Sequence, residues 1–157
     1  MKNIIKLSLS CIVTLLCLSI TSYIHTEDLS DKSPIVKIVK ADTLNISGYS
    51  DTSTTLTEPM KKQLEQVILY LKANENLNIR VDGHSDKTDS FSFDMDRSRQ
   101  RALAVNNYLR EQGIDQNRIR FQGRGNTTPL VPNSNDENKA KNRRISIIIL
   151  ADDDKDK

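Results

Sequence analysis

Apolar and polar positions alternate along this chain in two different periods, and the switches between them mark the elements. "LNISGY" (residues 44–49) alternates with period two and predicts a strand. Thr57, Glu58 and Pro59 then form a helix start, with a hydroxyl at the N-cap position and proline in the first turn. Met60, Leu64, Val67, Ile68 and Leu71 follow at helical spacing on one face, and the pattern fades at "ANEN" (residues 73–76). A second strand is predicted over residues 78–83. A second helix covers 94–113, with Ala102, Val105 and Leu109 as its buried stripe and Gly113 suited to its C-terminal cap. "RIRFQGRG" (residues 118–125) is a third strand, a long loop with Pro129 and Pro132 follows, and "RISIIILA" (residues 144–151) is the last and most apolar strand. Strands separated by helices imply right-handed crossovers onto one sheet. The expected fold is therefore an α/β two-layer sandwich, β-α-β-α-β-β, with helices on one face of a single mixed sheet.

The chain ends read differently. Lys2 and Lys6 precede an uncharged run from residue 7 to 24, after which Glu27, Asp28 and Asp31 arrive. That is the pattern of a segment entering a membrane with its N-terminus cytoplasmic. About 18 residues is the lower edge of a helical span. A cleaved signal peptide and an uncleaved anchor both fit residues 1–24, and the poor cleavage site "SIT" tilts the reading to the anchor. Residues 25–42 read as a linker with one possible short strand, "IVKIV". Residues 43–151 read as the folded domain and the acidic end, 152–157, as a disordered tail. The domain is thus expected to be exported and membrane-associated.

Composition narrows the chemistry. A net charge of +2 over 157 residues, three Phe, four Tyr and no Trp give no electrostatic or stacking case for nucleic acid. Both cysteines, Cys11 and Cys17, lie in the N-terminal run, which leaves the domain without thiol chemistry or a cysteine metal site. His84 is the only histidine outside the linker. One imidazole beside Asp86 and Asp89 is a weak metal signal. Ser85 beside His84 does not make a triad, because neighbouring side chains at a strand end point apart. No enzyme activity, metal or cofactor is expected.

The informative stretch is "NIRVDGHSDKTDS" (residues 78–90), a strand that ends in ionisable and hydroxyl side chains. Asp86 leaves that strand near the start of the second helix, where Arg97, Arg99 and Arg101 lie. Arg97 and Arg99 read as solvated or paired with Asp94 and Asp96. Arg101 borders the buried stripe, and its guanidinium fork can hold a carboxylate. Two pairings are admissible: Asp86 and Arg101 gripping a zwitterion between them, or a plain surface salt bridge.

"GHSD" (residues 83–86), "RSRQRALAVNNYL" (97–109), "GRGNTTP" (123–129) and "NRRI" (142–145) together resemble the OmpA-like C-terminal domain, a peptidoglycan-binding module of outer-membrane proteins, Pal-type lipoproteins and flagellar stator proteins. The resemblance covers residues 44–150 and implies the same two-layer fold. It implies that Asp86 and Arg101 hold the diaminopimelate of a peptidoglycan stem peptide. An arginine of "NRRI" would line the pocket, with Arg144 preferred to Arg143. Ser85 keeps the hydroxyl of the family's threonine. Asp94 stands where the family has a ligand-contacting asparagine, Asp89 replaces a glycine, and Arg97 replaces a leucine. A carboxylate at 94 is expected to weaken binding or reposition the stem. The implied partners are peptidoglycan, the membrane through the N-terminal segment, and envelope proteins, and the implied place is the cell envelope, with the domain facing the periplasm from the outer or the inner membrane. The alternative is an OmpA-like fold with a weakened ligand site, serving as a structural or protein-interaction component of an envelope assembly.

Overall fold

The computed structural model describes residues 43–150. The N-terminal apolar run, the linker with its possible strand and the acidic tail lie outside the described residues. Four strands and three helices follow one another: β1 (Thr43–Ser47), α1 (Glu58–Ala73), β2 (Asn78–Gly83), α2 (Phe91–Glu111), β3 (Ile119–Gly123), α3 (Asp136–Asn142) and β4 (Arg144–Leu150). A short 3-10 turn (Gln116–Arg118) leads into β3.

The strands form one mixed sheet in the order β1-β4-β2-β3. β2 and β3 are parallel, as expected for two strands joined by the α2 crossover, and β4 lies antiparallel to both β1 and β2. In this register Ile46 faces Ile145, Leu44 faces Ile147, and Val81 pairs with both Ile147 and Phe121. Alternation then sends one side of every strand to a common core. The five α1 residues spaced at helical period are all buried, as are Ala102, Val105 and Leu109 of α2, and they join the strand residues in one apolar cluster. This is the two-layer arrangement expected from the apolar pattern.

Details of the ends depart from expectation. Thr57 occupies the N-cap of α1 with extended backbone, but its hydroxyl makes no capping bond. α2 begins at Phe91, earlier than residue 94, because Ser90 caps it by accepting from the Phe93 amide. Gly113 adopts φ 88° just beyond the helix, which relieves the cost a side chain would bring there. The third helix, α3, stands in what reads as loop. Asn135 caps it by accepting from Asn138 N, with Asp136 and Glu137 in its first turn and Lys139 and Lys141 in its last. That is the charge order a helix dipole favours.

Two close approaches bring β2, β3 and α2 together around the site. A Cβ on Gly83 would lie 1.9 Å from the Ser98 carbonyl oxygen, and one on Gly123 would lie 2.7 Å from Arg99 N. Only glycine lets the strand ends press this closely on the helix. The Ser98 hydroxyl uses the proximity, accepting from Gly125 N at 2.8 Å and donating to Met95 O at 2.8 Å.

Candidate functional site

Just past β2 the chain is held from two sides. His84 N donates to Arg144 O at 2.9 Å, and Ser85 N donates to Gly125 O at 2.9 Å. These bonds aim Asp86 into a cleft of about 510 Å³ lined by Asp51, Asp86, Lys87, Thr88, Asp89, Asp136, Lys139 and Arg143. Four pieces therefore build it: the β1–α1 loop, the β2–α2 loop, α3, and Arg143, the single residue between α3 and β4.

Asp86 is buried, and each of its carboxylate oxygens meets an arginine. Oδ1 lies 3.3 Å from Arg97 Nη2 and Oδ2 lies 3.2 Å from Arg143 Nη1. Asp51, on the exposed rim, brings its carboxylate within 3.8 Å of Arg97 Nη1 and 3.9 Å of Arg143 Nη1. Lys87 and Lys139 add cations to the lining, and Asp89 and Asp136 add anions. Charges of both signs thus line one opening. A zwitterion, with an ammonium and a carboxylate a few ångströms apart, matches that surface better than an ion of one sign.

Arg101 lies elsewhere than at the border of the buried face. It is fully buried, and its fork serves backbone carbonyls: Nε to Ser53 O at 2.9 Å, Nη1 to His84 O at 3.1 Å, and Nη2 to Ser50 O at 3.3 Å and Asp51 O at 3.0 Å. The Tyr49 ring stacks 4.7 Å from its guanidinium carbon. Burial, reinforced by the nearby Arg97 charge, lowers its pKa to about 10. Burial likewise pushes the Tyr49 phenol above its ordinary range. Among the described residues no ion pair joins Arg101 to Asp86, so the simple surface salt bridge is replaced by Asp86 between Arg97 and Arg143. Arg101 instead fastens the β1–α1 loop behind Asp86. Arg97 Nη1 (to Asp51 O, 3.0 Å) and Arg143 Nε (to Tyr49 O, 3.1 Å) fasten the same loop.

Arg97 also departs from its expected place. It is buried rather than solvated, beneath the half-exposed Phe93 ring at 4.7 Å, although the anticipated partner Asp94 is present at 3.3 Å. Asp94 is wholly buried and faces no open cleft. Its oxygens accept from Thr88 N at 3.0 Å, Thr88 Oγ1 at 2.7 Å, Asn126 Nδ2 at 2.7 Å and Arg97 Nη2. Ser85 is buried, with its hydroxyl donated to Asp86 O at 3.1 Å.

The two arginines of "NRRI" separate because Arg143 caps α3 while Arg144 opens β4. Arg143 lines the cleft. Arg144 points away from the core that Ile145 and Ile147 enter, and its Nη2 donates to Thr128 O at 3.1 Å. The geometry thus favours Arg143, not the preferred Arg144, for the pocket. Beside Arg144, His84 lies between two hydroxyls, Thr128 Oγ1 on Nδ1 and Ser146 Oγ on Nε2, each at 3.1 Å. Burial, aided by Arg144 and Arg124, lowers its pKa to about 4, so it is neutral at pH 7. It is a structural imidazole.

Of the residues singled out in the sequence, Asp86, Asp89 and Arg143, the less favoured of the two arginines, line the cleft, whereas Asp51, Lys87, Thr88, Asp136 and Lys139 carried no such expectation. Asp136 and Lys139 were hidden with α3. The sequence signal for them was present: a capping asparagine followed by acidic, then basic, residues.

Comparison with known proteins places these features. The OmpA family model matches residues 48–143, more than half of the chain. The probable lipoprotein YiaD of Escherichia coli is 37% identical over 101 residues, covering 64% of this chain and 46% of that protein. The peptidoglycan-binding protein ArfA of Mycobacterium bovis is 34% identical over 86 residues, covering 55% and 26%. The chain thus spans less than half the length of either relative. The crystal structure of the peptidoglycan-associated lipoprotein from Burkholderia pseudomallei superposes with a TM-score of 0.68 at 20% identity, over 78% of this chain and 98% of that one, a likeness of fold.

Proposed function

The chain belongs to the OmpA family, and from that premise we propose that it is a non-catalytic peptidoglycan-binding module that tethers a membrane or an envelope assembly to the cell wall. The ligand is the diaminopimelate end of a stem peptide, whose ammonium and carboxylate meet the charges of both signs in the cleft. The observation that carries the reading is Asp86 held between Arg97 and Arg143 at the floor of an opening rimmed by Asp51, Asp136, Lys87 and Lys139. Arg143 Nη1 serves Asp86 and its Nε serves Tyr49 O, which leaves Nη2 as the guanidinium nitrogen offered to an incoming carboxylate. Arg101 and Asp94 contribute from behind, by holding the loops that form the walls.

Charge-assisted hydrogen bonds are worth about 1.5–3 kcal/mol each. A few of them, set against the cost of association, make one stem a weak ligand, and the many stems of a sacculus supply avidity. The N-terminal apolar segment supplies the membrane end of the tether, and the domain faces the periplasm. Co-sedimentation with purified sacculi tests the reading. Wild-type chain is expected to pellet, and Lys139→Glu and Asp136→Lys, both at the rim, to pellet less while remaining folded. Wild type left in the supernatant at low salt would refute it.

One observation favours the alternative, a structural or protein-interaction role. Both oxygens of Asp86 and four donor contacts of Arg101 are committed within the protein. A fold that had given up its ligand would be free to commit them so. The sedimentation outcome separates the two readings.

A further inference from the structure

Asp94 and Arg97, one helical turn apart on α2, each reach residues that line the cleft. Asp94 holds Thr88 through both its amide and its hydroxyl. Arg97 holds the Asp86 carboxylate through Nη2 and the Asp51 carbonyl through Nη1. The two residues meet through that same Nη2, which lies 3.3 Å from Asp94 Oδ1 and 3.3 Å from Asp86 Oδ1. Both side chains are nearly or wholly sealed from solvent, with Phe93 covering the guanidinium.

We propose that Asp94 and Arg97 form one positioning unit, which sets Asp51, Asp86 and Thr88 in their places around the cleft and functions only as a pair. This rests on the cleft being the peptidoglycan site. The chemistry makes each half depend on the other. All four groups that reach Asp94 donate to it, and three of them, Thr88 N, Asn126 Nδ2 and Arg97 Nη2, are nitrogens that cannot accept, so a carboxylate satisfies the set and an amide does not. An asparagine there would turn an NH2 toward Thr88, Asn126 or Arg97. Without Arg97, the Asp86 and Asp94 carboxylates remain buried near each other with one guanidinium fewer to neutralise them, and like charges in such a place repel. Removing both changes together is the milder perturbation, because Asp86 keeps Arg143 and no second buried carboxylate opposes it. The asparagine of the family pattern is thus predicted to be harmful at position 94 of this chain while Arg97 is present.

The test is a double-mutant cycle on the full chain, with Asp94→Asn, Arg97→Leu, the double variant and Arg97→Lys. Two readouts are taken: apparent affinity for purified sacculi, and amide exchange at Thr88 and in the 49–53 loop without ligand. Each single change is expected to weaken sacculus binding about tenfold, equivalent to about 1.4 kcal/mol, and to speed exchange at Thr88 or in the loop. The double variant is expected to bind more tightly than Arg97→Leu alone, and Arg97→Lys to recover part of the affinity. Effects on binding that multiply in the double variant, or an Asp94→Asn protein equal to wild type in both readouts, would overturn the proposal. If wild type does not bind sacculi, the reading of the cleft fails. The exchange cycle then decides the unit by itself, with additive exchange effects overturning it and coupled ones sustaining it.

Discussion

Replacing Arg101 by lysine keeps the charge and removes the fork, which isolates what the fork does. The guanidinium reaches four carbonyls on two segments, those of Ser50, Asp51 and Ser53 in the β1–α1 loop and of His84 after β2. A lysine has one nitrogen on a flexible stem and cannot span all four. It can serve two of them, so two carbonyls lose their partner. Ser50 and Asp51 are exposed and can turn to water, whereas the His84 carbonyl belongs to a buried residue. A lost hydrogen bond with a charged donor costs about 1.5–3 kcal/mol, and resolvation returns part of it. Loss of the guanidinium stack on Tyr49 adds about 0.5–1 kcal/mol. Arg101→Lys should therefore destabilise the domain by about 2–4 kcal/mol. Urea unfolding at 25 °C measures this, with the midpoint falling and the slope unchanged. Native-state amide exchange should show the 49–53 loop opening more readily than the helices. A variant within 0.5 kcal/mol of wild type, with an unchanged loop, would refute the clamp and return Arg101 to the role of a free ligand-binding cation.

Three further outcomes follow from the same geometry. Gly83→Ala places a Cβ 1.9 Å from the Ser98 carbonyl oxygen, so α2 must retreat from β2; a loss of about 3 kcal/mol or more is expected in thermal or urea unfolding. Asn142→Ala removes an amide that accepts from Leu130 N and Val131 N and donates to Val131 O and Asn133 Oδ1. Because Asn133 in turn accepts from Lys87 N, a loss of about 2–4 kcal/mol should come with weaker sacculus binding. His84 has a folded-state pKa of about 4 against an ordinary 6.5. The unfolded chain therefore takes up the proton first, and stability falls as pH drops from 6.5 toward 4. Between pH 7 and pH 5 the linkage amounts to about 2 kcal/mol, and His84→Gln should flatten that part of the stability profile against pH.

The layers of this fold were legible because they rest on periodicity. Met60, Leu64, Val67, Ile68 and Leu71 could bury together only as a helix, and the alternation in residues 78–83 could face a core only as a strand. α3 was not legible as an element because its seven residues carry no apolar stripe; only its caps and charge order mark it. At the site, Asp86 was found because a strand ends there. The placement of arginines is harder to read, since a guanidinium on a long flexible stem can reach solvent, a carboxylate or a carbonyl from the same backbone position. For Arg97 the charge left solvation and pairing with Asp94 both open, and its spacing of three from Asp94 and four from Arg101 puts it on their face. The partners that Arg101 has in the structure, among them carbonyls about fifty residues earlier in the chain, carry no side-chain signature at all.

A cleft beside Asp86 that receives a zwitterionic amino-acid terminus of peptidoglycan should bind free meso-diaminopimelate titrated into the isotope-labelled chain. Saturable NMR shifts concentrated at Thr88, Lys139 and Arg143 are expected, lost in Lys139→Glu and absent with a simple diamine or a simple dicarboxylate at equal concentration. Shifts scattered over the surface, or equal response to a ligand bearing only one sign of charge, would contradict it.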